Sequence, residues 1–203
     1  MKSKGLLIVI SGPSGAGKGT ICKELLCSCS NNLELSVSAT TRKPRNGEVE
    51  GVNYFFKDKD EFVRMIENGE FIEYAKVHDN YYGTPKKYVM DKLEEGKNVI
   101  LEIDVQGGLK VKQIFPEAVF VFIMPPSFEE LKKRIEGRGT ETEQDICKRM
   151  KNAYGEVSYA NNYDYVVVND ELRDAAAKIN CILTAEKYRV KRCNTDFENF
   201  KEE

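Results

Sequence analysis

The chain has 203 residues, 41% of them hydrophobic and 32% charged, with a formal net charge of -2 at pH 7. This length supports one substantial core with smaller appendages, and the composition is that of an ordinary globular protein. Near-balanced charge excludes a global basic field of the kind that wraps long nucleic acid, although a local basic patch stays open.

The opening MKSKGLLIVIS imitates a secretion signal, but its apolar run at residues 6–10 is shorter than the roughly seven to fifteen such a signal needs. No run approaches the roughly 18 apolar residues of a membrane span, so a cytoplasmic protein without membrane contact is expected. Residues 6–11 read as a strand buried on both faces. After Gly17 the pattern turns helical, with Ile21, Leu25 and Leu26 on one side. From about residue 36 to residue 92 the rhythm breaks. Short candidate strands at 53–56 and 71–77 flank a helical 59–67, which suggests an insertion with its own small antiparallel sheet. Apolar runs at 98–103, 119–124 and 165–168 then read as buried strands, each followed by a helical stretch at 108–114, 127–135 and 172–188. Such alternation predicts an α/β fold, a parallel sheet with helices on both faces. The tail after Lys191 is polar and expected to fray. Six cysteines form no CxxC pair and the sole histidine is His78, so a zinc site is not expected and reduced thiols are.

Gly12-Pro13-Ser14-Gly15-Ala16-Gly17-Lys18 has the G-x-x-x-x-G-K spacing between a strand and a helix. Glycines let consecutive N–H groups point inward, the helix N-terminus adds partial positive charge, and Lys18 reaches the outer phosphates of a nucleoside triphosphate. Gly19 replaces the Ser or Thr that ordinarily sits on magnesium, and Thr20 follows one position late. Either Thr20 contributes from a shifted place, or the ion is held mostly by water and substrate oxygens.

In SVSATTRKPRNGEVEGVNYFF, Arg42 and Arg45 flank Lys43-Pro44, where proline prevents a helix. Two forked guanidiniums so close together suit a phosphate group, and Tyr54 and Tyr82 can add hydroxyls. Glu73, Thr84 and Asp104 stand as isolated polar groups at the ends of apolar runs. The order GPSGAGKGT, SVSATTRKPRNGEVEGVNYFF, EFIEY, YYGTP, ILEIDVQG, KKRIEGRGTET and VVVND resembles guanylate kinase over residues 5–187, in the nucleoside monophosphate kinase class. Asp104-Val-Gln-Gly107 also matches the DxxG of signalling GTPases, but the NKxD motif those proteins use to read guanine is absent.

The resemblance implies a core of residues 1–37 and 93–203, an inserted GMP-binding region at 38–92 and a mobile lid at about 134–149. It implies ATP contacts from residues 12–20, Arg134, Arg138 and Asn169. Glu73 and Asp104 would accept the N1 and N2 protons of guanine while Ser38 and Thr84 supply hydroxyls. Arg42, Arg45, Tyr54 and Tyr82 would hold the monophosphate, with Glu48 steadying the arginines. Lys18, Arg42, Arg134, Arg138 and Arg149 would neutralise charge in the transfer. Magnesium (Mg2+) would enter with ATP near Thr20 and Glu102, in part through water. The attacking phosphate oxygen is already ionised, so no general base is needed. A monomer or homodimer is expected. Residues 131–150 taken alone read as a solvated charged helix face, but Gly137 and Gly139 around Arg138 give a hinge. A non-catalytic protein-binding relative of the same fold would be expected to lack loop or lid residues that this sequence retains. A kinase of the same architecture for another acceptor is opposed by the carboxylate and hydroxyl set.

Overall fold

The computed structural model describes residues 4–27, 32–45, 47–77, 79–137 and 143–192. Arg138, His78 and the tail from residue 193 lie outside the described residues. The apolar run after Gly5 forms β1 (Leu7–Ser11), buried throughout. The glycine loop leads into α1 (Lys18–Cys27), and the short β2 (Leu33–Leu35) follows. Next come β3 (Ala39–Thr40), β4 (Phe55–Phe56), α2 (Lys59–Glu67), β5 (Phe71–Val77), β6 (Asn80–Pro85) and α3 (Lys86–Glu94). The chain continues through β7 (Asn98–Glu102), α4 (Val105–Ile114), β8 (Val119–Met124) and α5 (Phe128–Glu136). It closes with α6 (Glu143–Val157), β9 (Tyr165–Val168) and α7 (Leu172–Lys187).

The first sheet has the order β2-β7-β1-β8-β9, and every pairing in it is parallel. Side chains alternate across β1. Ile8 and Ile10 pack with Ile21, Leu25, Ile179 and Leu183 beneath α1 and α7. Leu7 and Val9 pack with Val89, Leu93 and Val111 beneath α3 and α4. Helices therefore cover both faces, as the unbroken apolar strands require.

The second sheet has the order β4-β3-β6-β5. It is not purely antiparallel as expected, because β3 pairs with β4 in parallel while β6 pairs antiparallel with β3 and β5. The long excursion between β3 and β4 returns the chain in the same direction, which a hairpin would not. Phe62 of α2 is fully buried and stacks on Phe71, with centroids 4.4 Å apart, and on Tyr81 at 5.5 Å. This aromatic stack fastens α2 to the sheet.

Local caps explain several boundaries. Asp58 accepts from Glu61 N–H at 2.7 Å and starts α2. Asp104 accepts from Gly107 N–H at 2.7 Å, so α4 begins at Val105, three residues before the expected start, despite glycines in its first turn. Ser127 caps α5, which ends at Glu136 with Gly137 in the C-cap position. The short strands β2 and β3, the strand β6 and the helix α3 were not expected as elements, and residues 143–149, expected within the lid, form the first half of α6.

Phe62→Ala is expected to destabilise the protein by about 3–5 kcal/mol through the cavity it leaves. Denaturant unfolding checks the size. Hydrogen exchange should show the loosening concentrated in residues 55–85, and a variant as stable as the parent would remove the aromatic stack as the fastening.

Candidate functional site

β1 and β7 run side by side with Ile10 opposite Glu102, so the loop after β1 and the turn after β7 emerge at one edge of the sheet. Open parallel sheets place ligands beyond this carboxyl edge. Gly12 has φ 145°, and a Cβ there would collide with the Ile123 carbonyl oxygen, so only glycine lets the loop turn away from β8. Ala16 N–H donates to Pro13 O at 3.1 Å, which closes the turn. Lys18 Nζ donates to Gly12 O at 2.7 Å and Pro13 O at 3.1 Å, lying across the loop. Burial lowers its pKa, and the charges of Glu102, Glu156 and Asp104 oppose that shift.

Asn169, just after β9, is buried and donates its side-chain amide to Ala16 O at 2.8 Å. Its carbonyl accepts from Arg134 Nη1 at 3.0 Å, and Arg134 Nε donates to Glu130 at 3.1 Å. Asn169 thus links the loop to α5. Arg149 is partly buried on α6. Arg138 lies outside the described residues.

Gly19 also has a geometric reason. A Cβ there would lie 3.3 Å from Glu102 Oε1 and 3.5 Å from Oε2, so the carboxylate crowds the place where a Ser side chain would start. Glu102 is solvent-accessible, yet neighbouring protein atoms desolvate its carboxyl and raise its pKa, against the pull of Lys18 and Lys23. Thr20 is exposed in the same turn of α1. These oxygen donors suit a hard divalent cation. Among the described residues no cluster of three or more His, Cys, Asp or Glu side chains forms, so substrate oxygens and water would complete the shell.

The second sheet presents two polar clusters. In the first, Arg42 Nη2 donates to Glu48 Oε1 at 2.8 Å, and Glu48 Oε2 accepts from Arg45 N–H at 2.7 Å. The Arg42 hydrogen bond, joined by Arg45, holds the Glu48 carboxyl below its ordinary range. Arg42 lies 5.4 Å from the Tyr54 ring centroid, and the Tyr54 and Tyr82 rings are 6.1 Å apart. In the second cluster, the buried Thr84 donates Oγ1–H to Glu73 Oε1 at 2.7 Å. Burial is the main cause that raises the Glu73 pKa; Asp104 adds to it, while the Thr84 hydrogen bond and Lys110 oppose it. A Cβ at Gly107 would lie 3.3 Å from Glu73 Oε2 and 3.4 Å from Asp104 Oδ1, so both carboxylates flank that glycine.

Asp104 Oδ1 is engaged by the α4 cap, which leaves its other oxygen for a ligand. Ser38 lies just before β3 with its carbonyl accepting from Phe55 N–H, and no contact among the described residues ties its hydroxyl to the carboxylates. Ser11 Oγ donates to Asp104 O at 3.3 Å and so joins the end of β1 to this cluster. Sequence reading missed Ser11, the residue just before the loop, and Tyr163, whose hydroxyl donates to Val105 O at 3.5 Å from a segment with no motif. A cavity of about 760 Å³ at the opposite edge, lined by Leu7, Asn98, Phe115 and Arg192 among others, contains none of these residues.

The guanylate kinase family model matches residues 4–186. A guanylate kinase from Caldanaerobacter subterraneus subsp. tengcongensis is 59% identical over 203 residues, covering 100% of this chain and 98% of that protein. One from Clostridioides difficile is 57% identical over 201 residues, covering 98% of each. The crystal structure of guanylate kinase from Anaplasma phagocytophilum superposes with a TM-score of 0.78 at 38% identity, covering 100% of this chain and 99% of that one. The phosphate loop and Asp104 stand at one sheet edge within a match that spans nearly the whole chain, and the chain belongs to the guanylate kinase family.

Proposed function

We propose that this protein transfers the γ-phosphoryl group of ATP to GMP, giving ADP and GDP in guanine nucleotide recycling. The observation that carries the reading is the pairing, at one sheet edge, of a glycine loop crossed by Lys18 with the half-buried Glu73, bonded to Thr84, beside Asp104. In this reading residues 1–37 and 93–203 form the donor-binding core, with the lid at about 134–149, and residues 38–92 bind the acceptor. The family names support the kinase activity, and the geometry supports the residue roles.

The donor phosphates lie against the loop of residues 12–20, whose non-proline N–H groups donate to them, and Lys18 exchanges its loop carbonyls for phosphate oxygens. Glu102 and Thr20, in part through water, would hold magnesium beside the donor phosphates, where the ion would supply neutralising positive charge. Arg42, Arg45, Tyr54 and Tyr82 hold the acceptor phosphate, and Glu48 keeps Arg42 oriented. Glu73 and the remaining oxygen of Asp104 accept the guanine N1 and N2 protons. Thr84 has one proton and gives it to Glu73, so its hydroxyl turns to O6 when the base enters. Ser38 supplies the second hydroxyl of the pocket. Adenine would set a ring acceptor against a carboxylate, a mismatch worth a discrimination of about 10⁴-fold in a pocket of this kind. An ionised acceptor oxygen then attacks the γ-phosphorus, while Arg134, Arg138 and Arg149 spread the transition-state charge and the closed lid excludes water. No helix among the described residues is long and apolar enough to cross a membrane, and we place the protein in the cytoplasm with ATP and GMP as its partners. Monomer or homodimer is the proposed assembly.

ADP formation from ATP and magnesium, compared across GMP, AMP, CMP and UMP, tests the function; turnover with GMP alone is expected, and binding of GMP without turnover would favour a non-catalytic module. Lys18→Ala should lower kcat by at least about 10²-fold with the fold intact, read by steady-state kinetics and circular dichroism. Glu73 must be ionised to accept guanine protons, and its pKa is raised, so GMP binding weakens as pH falls toward a point above the ordinary 4.5. KM for GMP should therefore rise on the acid side in the parent. In Glu73→Gln that added rise should vanish and discrimination against AMP should shrink. An unchanged profile in the variant would remove Glu73 from base recognition.

A further inference from the structure

Tyr163 stands between β8 and α4 on a segment that carries no motif. A tight 3-10 turn (Ser158–Asn162) ends at it, and both of its chain neighbours are tied down. The Asn162 carbonyl accepts from Lys112 Nζ at 2.6 Å. The Asp164 carboxylate accepts from the same ammonium at 3.0 Å and from Phe120 N–H at 2.9 Å. Lys112 belongs to α4 and Phe120 to β8, so the backbone around Tyr163 is fixed to both elements. Its ring meets Phe122 edge-on with centroids 5.1 Å apart, and Phe120 at 6.2 Å. Held in this way, the hydroxyl reaches the first turn of α4, 3.5 Å from Val105 O.

That turn contains two glycines in succession, although glycine is a poor helix former. Each has a steric reason, and the two reasons differ. Gly107 adjoins carboxylates, with Glu73 Oε2 and Asp104 Oδ1 at 3.3 and 3.4 Å from the place of a Cβ. Gly108 adjoins hydroxyls: a Cβ there would collide with the Tyr163 hydroxyl and lie 2.8 Å from Ser11 Oγ. Gly108 is not among the glycines of positive φ, so space rather than backbone conformation calls for it. The hydroxyls of Tyr163 and the fully buried Ser11 therefore converge on one point of α4. Ser11 Oγ donates to Asp104 O at 3.3 Å, and the same carbonyl takes Gly108 N–H at 2.9 Å. The peptide of Asp104 is seated on this side of the turn while its carboxylate lies beside Gly107 with Glu73.

We propose that Tyr163 is a positioning residue for acceptor recognition: its hydroxyl, together with Ser11, props the first turn of α4 and so sets the Asp104 carboxylate for the guanine base. This rests on the phosphotransfer reading with GMP as acceptor. The hydroxyl acts through the backbone of α4, so it governs binding of the acceptor rather than of the donor. A pocket that reads its ligand by hydrogen bonds loses affinity when one of its groups is displaced.

The test uses two variants of the full chain. Tyr163→Phe keeps the ring against Phe122 and Phe120 and removes only the hydroxyl. KM for GMP should rise about fivefold, the size of one ordinary hydrogen bond, while kcat and KM for ATP change less than about twofold. Gly108→Ala approaches the same point from the other side. Its methyl group takes the space of the hydroxyl and should raise KM for GMP in the same direction, even though alanine is the better helix former. Gly107 N–H, bonded to Asp104 Oδ1 at 2.7 Å, reports on the cap itself. Its amide exchange, followed by nuclear magnetic resonance, should quicken about fivefold in Tyr163→Phe. An unchanged KM for GMP in either variant, an equal rise in KM for ATP, or unchanged Gly107 exchange would overturn the proposal. A parent protein that fails to phosphorylate GMP would instead remove the phosphotransfer reading, and the exchange rate at Gly107 would still decide whether the hydroxyl holds the Asp104 cap.

Discussion

Everything at this site depends on β1 and β7 ending side by side. A parallel pair sends both chain exits to the same edge, and here one exit is the phosphate loop and the other is Asp104. Ser11 Oγ closes the gap between them by donating to the Asp104 carbonyl. Asp104 then does three things within one residue. Its carbonyl meets β1, one carboxylate oxygen starts α4, and the other remains for a ligand beside Glu73. The position of the acceptor pocket relative to the donor loop thus follows from strand pairing in the central sheet.

Charge is arranged around that edge in opposed sets. Lys18, Arg42 and Arg134 each rest on oxygen atoms of the protein: loop carbonyls, Glu48, and Glu130 with the Asn169 carbonyl. These partners keep the cations oriented while leaving each of them exchangeable for phosphate oxygens, which bind them more strongly. The carboxylates of Glu73, Glu102 and Glu156 are all raised in pKa by desolvation first, with cations or hydrogen bonds opposing. Lys18 offsets Glu102 and Glu156, while Thr84 and Lys110 offset Glu73, so each desolvated carboxylate has its own compensating group.

The second sheet shows how local chemistry and distant packing divide the work. Glu48 and Arg42 are six residues apart and meet through a turn that Pro44 stiffens, so that contact is nearly local. Glu73 and Thr84 meet across the β5–β6 pairing, whose register is irregular between Phe71 and Tyr74. Beneath them the Phe62 stack on Phe71 and Tyr81 supplies the apolar floor. Without it, a sheet of such short strands would have little to hold it together.

Much was legible in the sequence for definite physical reasons. Five apolar residues, then glycines with correct spacing, then a helical stripe can be read as strand, anion loop and helix because each has its own short-range signature. The strands at 119–124 and 165–168 and the helix at 59–67 were legible for the same reason. Arg42, Arg45, Glu73 and Thr84 could be singled out because ordered motifs resemble those of a known family. Other features were decided only by tertiary structure. The parallel β3–β4 pairing, the crowding of Gly19 by Glu102, the bond from Asn169 to Ala16 O and the bond from Ser11 to Asp104 O all join residues with no shared local pattern. Short-range periodicity records which face of an element is buried. It carries no record of which side chain from a distant element arrives at that face, because the packing of whole elements sets that.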